Sequence, residues 1–167
     1  MLSSKMEEAL NSQVNAELYS AYVYLAMSAY LESQDLQGMA AWMKAQAQEE
    51  VAHAMKIFGF INERGGSVKL AAIAAPPTKW DSPRAVFENA YKHEQHVTSL
   101  IHKLVDLAIG ESDHATKNML DWFVDEQVEE EASANATVQR LKMIGDHAPA
   151  LLMLDRELGQ RRAGEEE

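Results

Sequence analysis

The chain has 167 residues, a formal net charge of −11 and no cysteine. Apolar residues make up 47% and charged residues 25%, which is typical of one globular domain. The absence of cysteine excludes disulfides, thiolate zinc sites and iron–sulfur clusters, and fits a cytoplasmic location. The acidic charge is compatible with attracting cations and disfavours nucleic acid as a partner, since phosphate binding depends on Lys and Arg. No long apolar run and no basic-then-apolar N-terminal segment is present, so we expect neither membrane span nor signal peptide.

Four long helices and one short helix are predicted in chain order. Ser3 or Ser4 can cap the first helix, and Ser82 followed by Pro83 is a typical start for the third. Glycines end the second, third and fourth helices, at Gly65-Gly66, Gly110 and Gly145. The predicted helices cover about residues 4–33, 38–64, 83–109, 113–144 and 148–160.

The lengths of these segments predict the topology. A helix of about 27 residues spans roughly 40 Å, and the connection over 67–82, about 16 residues, can extend over roughly 50 Å. The connections on either side of it are short, so helices one and two are antiparallel, as are helices three and four. We therefore expect one all-α domain over residues 1–167, a four-helix bundle with one long crossover and a short fifth C-terminal helix. The alternative is an up-down bundle with a disordered middle loop.

Polar residues interrupt the apolar stripe of each long helix in its central part. The chain repeats one pattern: a carboxylate is followed 33 residues later by a pair at i, i+3, which lies on one helix face. In the second repeat the pair begins with an amide. The six residues of the two repeats are Glu17, Glu50, His53, Glu94, Gln127 and Glu130.

Buried carboxylates need compensation. Each unpaired one costs several kcal/mol, and several together would unfold a domain that is stable by roughly 5–15 kcal/mol. The four predicted stripes contain no Lys or Arg, so metal cations remain as the compensating charge. Four carboxylates, one imidazole and one amide suit iron or manganese, and zinc less specifically. The alternatives are that these positions are solvated, or that the chain is a helical adaptor that binds no metal.

The chain resembles the ferritin-like di-iron family, in which two helices each give one Glu and two others each give Glu-x-x-His. The first half matches with Glu17 and the segment 50–53, EVAH. The second half has Glu94 but QVEE at 127–130, a pattern similar to that of non-haem bacterial and archaeal ferritins. AQAQEEVAHAMK, ERGG, YKHEQ and WFVDEQVEEE carry the rest of the resemblance, which covers nearly the whole chain. Bacterioferritins bind haem through a Met where this chain has Val51, so the resemblance implies no haem.

The resemblance implies a ferritin-like bundle and a hollow homo-oligomeric shell of 24 subunits. It implies that Fe(II) is oxidised by oxygen or hydrogen peroxide at two iron ions per subunit and stored as ferric mineral. The short fifth helix would then lie at the four-fold contacts, which would cover its apolar face. The rival function is a stand-alone di-iron oxidase or peroxidase that stores nothing.

By the same resemblance, Glu17, Glu50 and His53 hold one iron, with Glu50 as the bridge, while Glu94 and Glu130 hold the other. The resemblance assigns further residues around this pair. Gln127 would hydrogen-bond a bound oxygen species or water, and Glu49, Glu126 and Glu129 would hold a third iron. Tyr24 lies two turns from Glu17 on the same helix face, and from that position it would hydrogen-bond a ligand or supply an electron.

Other residues near the predicted site have simpler alternatives. Tyr24 can equally be a core tyrosine, and packing explains Trp122 more simply than a redox role. The run at 129–131 can be a solvated face, which is our interpretation for Glu131. Glu111, Asp113, His114 and Asp121 cluster around the turn between the third and fourth helices, and near a three-fold axis they would form an acidic funnel for iron. Asp113 can instead be only a helix cap.

Overall fold

The computed structural model describes residues 1–161. Five α-helices make up this part of the chain, and their bounds agree with the predicted segments to within two residues. They are α1 (Ser4–Ser33), α2 (Gln37–Glu63), α3 (Pro83–Gly110), α4 (His114–Ile144) and α5 (Ala148–Leu158).

Side chains cap three of the long helices at the predicted positions. Ser3 accepts from the backbone N–H of Met6 at 3.0 Å, and Ser82 accepts from that of Ala85 at 3.0 Å. Asp113 caps α4 by accepting from the N–H of Thr116 at 3.1 Å. The end of α3 differs slightly from the prediction. Gly110 was expected to follow the helix but is its last residue, and the chain turns at Ser112, which has a φ of 55°.

The crossover over 64–82 runs along the whole length of α1. Near the N-terminus of α1, Glu7 accepts from the N–H of Ser67 at 3.2 Å. Farther along, Asn15 donates to the carbonyl of Ala72 at 3.2 Å, and Trp80 packs against Tyr30 with 5.6 Å between ring centroids. These contacts show an ordered crossover, so the alternative with a disordered middle loop is wrong.

This path decides the direction of the second helix pair. The crossover leaves α2 beside the N-terminal end of α1 and reaches α3 beside the C-terminal end of α1. Helix α3 therefore runs parallel to α2, and its far end returns to the start of α1, where Ser3 donates to Glu111 at 2.6 Å. The result is the predicted four-helix bundle with one long crossover.

Two apolar clusters fill the bundle on either side of a polar layer. One cluster includes Tyr24, Trp42 and Phe87 together with the packed face of α5. The other includes Leu10 and Phe123. Because the polar positions fall between these clusters on every long helix, they meet at mid-height of the bundle, shielded from solvent at both ends.

Helix α5 is docked on the start of α2. The carboxylate of Asp155 accepts from the N–H of Met39 at 2.8 Å. The backbones approach so closely that a Cβ at Gly38 would lie 1.8 Å from the carbonyl oxygen of Asp155. Glycine is therefore required at this crossing. Within residues 1–161, no helix combines the length and the apolar character that crossing a membrane requires.

Candidate metal centre

The six polar residues of the two sequence repeats all lie in the buried layer. Their exposed fractions range from 0% to 6%. The four carboxylates and the imidazole come from four different helices, as the stripes predicted. The buried charged side chains of the described residues include no Lys or Arg. The six are Glu17 on α1, Glu50 and His53 on α2, Glu94 on α3, and Gln127 and Glu130 on α4.

Glu17, Glu50 and His53 form the first potential ligand group. One ligand atom of each lies within 4.8 Å of the other two. The Nδ1 atom of His53 is 3.4 Å from Oε2 of Glu50. The Oε2 atoms of Glu17 and Glu50 are buried and have no hydrogen-bond partner in the described chain. Such oxygens are rare in a stable core, and two of them beside an imidazole are suited to a cation.

His53 also belongs to a second potential group, with Glu126 and Glu130. Its Nε2 atom lies 3.6 Å from Oε1 of Glu126. The imidazole therefore has a carboxylate at each ring nitrogen. Burial lowers the pKa of His53, but the carboxylates of Glu126 and Glu50 outweigh that effect and raise it to about 11. The ring carries a positive charge that a metal ion could replace.

Glu94 is held by two donors. Tyr24 donates its hydroxyl to one carboxylate oxygen, and Gln127 donates its amide to the other at 3.1 Å. Burial raises the pKa of Glu94 to about 7, although both hydrogen bonds oppose the rise. Burial also raises the pKa of Tyr24, as do the nearby carboxylates, so the phenol stays protonated and remains a donor.

Two further amides orient carboxylates of the layer, and no role for either was predicted. Gln13 donates to Oε1 of Glu17 at 2.8 Å, and Gln46 donates to Oε2 of Glu130. Gln46 is fully buried on the predicted stripe of α2. Gln13 lies four residues before Glu17, and that spacing is a signal that could have identified it.

Burial and mutual repulsion perturb the carboxylates strongly. Burial raises the pKa of Glu130 to about 8, with a further contribution from the charge of Glu94. Burial and the charge of Glu94 also raise the pKa of Glu50 well above its ordinary value. Because these carboxyl groups are shielded from water, their charged forms are unfavourable. A divalent ion beside them would favour the charged forms again.

The three carboxylates predicted to hold a third iron face different partners. Glu126 approaches His53, whereas Glu49 accepts from Arg161 at 2.6 Å, and Glu129 is exposed. Within residues 1–161, Glu126 belongs to a set of potential ligands within 4.8 Å of one another, with His53 and Glu130, whereas Glu49 and Glu129 belong to no such set. The third site stays a prediction.

Glu131 is less solvated than its position in an acidic run suggested. It is half-buried and accepts from the hydroxyl of Thr98 at 2.6 Å. The sequence interpretation of Glu131 as a simple solvated residue was therefore wrong. The Thr98 hydroxyl also lies 3.3 Å from the amide nitrogen of Gln127, so Glu131 belongs to the outer network of the centre.

Trp122 borders the centre from the outside. Its ring is 5.4 Å from that of His53 between centroids, and the Nζ atom of Lys56 lies 3.8 Å above it. The indole is 38% exposed. It covers one side of the imidazole and separates it from solvent.

Three of the four residues predicted to form an access funnel have side-chain contacts within the subunit. Asp113 caps α4 and accepts from Arg64 at 3.1 Å. Asp121 pairs with Lys117 at 2.9 Å, and Glu111 accepts from Ser3. His114 is the first residue of α4. The alternative role of Asp113 as a cap is confirmed, and the funnel stays a prediction.

The bundle and its carboxylate-rich layer define a class of protein, the ferritin-like four-helix bundles. A model of the ferritin-like domain matches residues 7–144. The chain is 45% identical over 161 residues to the bacterial non-heme ferritin of Bacteroides fragilis (strain 638R), covering 96% of this chain and 100% of the relative. It is 40% identical over 166 residues to that of Staphylococcus aureus (strain MRSA252), with 99% and 100% covered. The chain belongs to the ferritin family.

Solved structures agree with this assignment. The fold matches a novel open pore ferritin from the hyperthermophilic archaeon Archaeoglobus fulgidus with a TM-score of 0.96 and 56% identity, covering 97% of this chain and 100% of that one. A humanized archaeal ferritin matches with a TM-score of 0.97 and 52% identity, over 99% and 100% of the chains. The predicted ferritin-like fold is therefore confirmed.

Proposed function

We propose that the protein stores iron: it oxidises Fe(II) at the buried centre and deposits the ferric product as mineral inside a hollow shell of its own copies. One observation carries the proposal. Two carboxylate oxygens, on Glu17 and Glu50, are buried without a hydrogen-bond partner in the described chain, in a layer of four carboxylates. That layer is suited to divalent ions. The ferritin relatives support the same function.

We propose that the centre of each subunit binds two iron ions as substrate. Glu17, Glu50 and His53 would bind the first ion, and their convergence within 4.8 Å supports this assignment. Glu94 and Glu130 would bind the second, with Glu50 as the bridge. Two divalent ions balance four carboxylates, and each ion would replace protons that the metal-free layer retains at neutral pH.

The amides and the phenol are proposed to position ligands. Gln127 and Tyr24 both donate to Glu94. The two hydrogen bonds fix the orientation in which that carboxylate would bind iron. Gln127 thus donates to the carboxylate of Glu94, a proposed iron ligand, whereas the family resemblance implied that it bonds a bound oxygen species or water. Gln46 would do the same for Glu130, and Gln13 for Glu17.

The proposed reaction balances without further groups. Two Fe(II) ions lose one electron each, and one O2 accepts both electrons and two protons to become hydrogen peroxide. With hydrogen peroxide as the oxidant, the same two electrons and two protons give two waters. Carboxylate oxygens are hard ligands, which stabilise the smaller and more highly charged Fe(III) over Fe(II) and so favour oxidation.

Several finer features belong to the same proposal. Glu49, Glu126 and Glu129 would hold a third ion once iron draws them together. No haem is proposed, since Val51 follows the metal-binding Glu50. A cytoplasmic location fits the absence of cysteine in the sequence.

A shell of 24 subunits is proposed for the oligomer. Helix α5 supports it, because Leu152 and Met153 on this helix and Met143 nearby on α4 are exposed in the single chain. An apolar patch of this kind is a liability unless other subunits cover it. Met143 and Met153 also line a groove between α4 and α5.

Iron loading tests the proposal. Metal-free protein is mixed with excess Fe(II) in air and separated by size-exclusion chromatography, and iron is measured in each fraction. Storage predicts far more than two irons per subunit in a shell-sized species. About two irons per subunit in a monomer or dimer would support a stand-alone di-iron oxidase or peroxidase and overturn storage.

A further inference from the structure

The side chain of Arg161, beyond the end of α5, reaches the edge of the metal centre. Its guanidinium donates to Oε2 of Glu49 at 2.6 Å and to Oε1 of Gln46 at 2.8 Å. It also lies over the ring of Trp42, 4.6 Å from the centroid. The side chains of Arg161 and Glu49 are only 11% and 16% exposed. Two charge-assisted bonds and an aromatic face hold this cation firmly, because little water competes for it.

Gln46 connects Arg161 to the ligands. The same amide accepts from Arg161 through its oxygen and donates to Glu130 through its nitrogen. The guanidinium is thus two hydrogen bonds from Glu130, a predicted iron ligand, and bonded directly to Glu49, a predicted ligand of the third ion. Buried Lys and Arg are otherwise missing from this layer in the described chain.

The docking of α5 fixes this position. Leu154 and Leu158 are buried against the bundle, and Asp155 binds the start of α2. A Cβ at Gly159 would lie 2.9 Å from the Cα of Gly38, so the chain leaves α5 in close contact with α2. Arg161 then lies beside the segment of α2 that carries Gln46 and Glu49.

We propose that Arg161 is an internal counter-ion that competes with the third iron ion for Glu49. This role of Arg161 rests on the proposed function, because it concerns a competitor for iron at one edge of the same centre. A third ion must displace the guanidinium to use Oε2 of Glu49. The first two ions use other carboxylates and bear no such cost, so they bind before the third. Arg161 thereby limits the occupancy of the third position and sets the Fe(II) concentration at which it fills.

Anaerobic titration of the assembled metal-free protein with Fe(II), followed by calorimetry and equilibrium dialysis, tests this competition. The unaltered protein should bind two ions tightly and a third weakly. In Arg161→Gln the third ion should bind about tenfold more tightly, the size expected when a charge-assisted competitor is lost. Arg161→Lys keeps the charge but lacks the planar fork, and should lie between the two.

A matched control separates competition from loosening of α5. Arg140 forms another ion pair with α5, to Glu157 at 2.6 Å, and this pair is far more exposed. Arg140→Gln should leave the third binding step unchanged. Equal tightening in Arg140→Gln and Arg161→Gln would overturn the proposal.

A double variant tests whether Glu49 is the shared group. Glu49→Gln should weaken the third step, and adding Arg161→Gln to it should then have no further effect. If Arg161→Gln still tightened the third ion in that background, competition for Glu49 would be wrong. If Arg161→Gln failed to assemble, Arg161→Lys would decide alone. Tighter binding of the third ion than in the unaltered protein would support the competition, and unchanged binding would overturn it. Failure of the proposed function is distinct, because the unaltered protein would then lack the two tight ions.

Discussion

The hydroxyl of Tyr24 donates a hydrogen bond to the carboxylate of Glu94, which links α1 to α3 in the fully buried centre of the bundle. The two residues are 70 positions apart in sequence. The bond gives the tyrosine a role toward a predicted iron ligand that ordinary packing would not provide.

Tyr24→Phe should slow the initial oxidation of Fe(II) by about tenfold, comparable to the loss of one hydrogen bond to a charged group. Without the donor, Glu94 can rotate away from the orientation that meets the second ion. Stopped-flow absorbance measures the rate. Tyr19→Phe is the control, since Tyr19 contacts the neighbouring His93 ring at 6.1 Å between centroids but no hydrogen bond to Glu94 is found for it in the described chain. Equal slowing in both variants would contradict the assignment.

His53→Ala and Glu94→Ala should each abolish fast oxidation while leaving the shell assembled. Each variant lacks a proposed iron ligand. The initial rate should therefore fall by more than the roughly 10–100-fold that is typical when a residue that only supports a metal ligand is changed. The measurement is the initial rate at two Fe(II) per subunit, with size-exclusion chromatography to verify assembly. Unchanged initial rates in assembled variants would exclude the di-iron interpretation.

Glu129→Ala should change the ratio of iron oxidised to oxygen consumed. The exposed carboxylate lies beside Glu130 on α4 and is proposed to bind the third ion. An oxygen electrode with a known Fe(II) addition measures this ratio. Asp125→Ala, which removes another exposed acid of the same helix, is the matched control and should leave the ratio unaltered. Identical ratios in all three proteins would remove Glu129 from the third site.

The metal-free protein should lose stability as pH rises from about 5 to 8. Burial raises the pKa of Glu94 to about 7 and that of Glu130 to about 8, so the folded chain binds more protons than the unfolded chain in this window. The free energy of unfolding then falls with increasing pH. His53 acts in the same direction: its stabilisation is complete below the ordinary pKa of 6.5 and is lost as pH rises through about 11.

Metal should reverse that dependence. Divalent ions replace the protons, so binding strengthens as the acids and the imidazole are deprotonated. Chemical denaturation at pH 5, 6, 7 and 8, with and without redox-inert Zn(II), measures both trends. A metal-free stability that increases toward pH 8 would contradict the raised pKa values.

Gly38→Ala should detach α5 from α2. The new Cβ would lie 1.8 Å from a backbone oxygen that cannot move without undocking the helix, and such overpacking costs about 1–3 kcal/mol or more. Gly59→Ala is the matched control, because a Cβ there meets nothing within 4 Å. Gly59 lies four residues before the end of α2, and alanine there should stabilise by up to about 1 kcal/mol through helix propensity. Thermal unfolding compares the two, and similar shifts would argue against the tight crossing.

Much of the centre could be predicted because helical periodicity is local. The i, i+3 spacing puts Glu50 beside His53 on any helix, and the apolar residues above and below them point that face inward. Capping residues and connection lengths predicted the helices and their antiparallel pairing for the same reason. All six polar positions of the two repeats are indeed buried together.

The tertiary structure decided which partner each side chain meets. Tyr24 and Glu94 come from different helices, and their bond depends on how α1 packs against α3. Arg161 is 112 positions from Glu49, and no spacing rule joins them. The amino-acid sequence by itself determined which faces are polar, because that follows from one helical turn. The partners required the packing of all five helices, since contacts between distant segments depend on crossing distances that no local pattern contains.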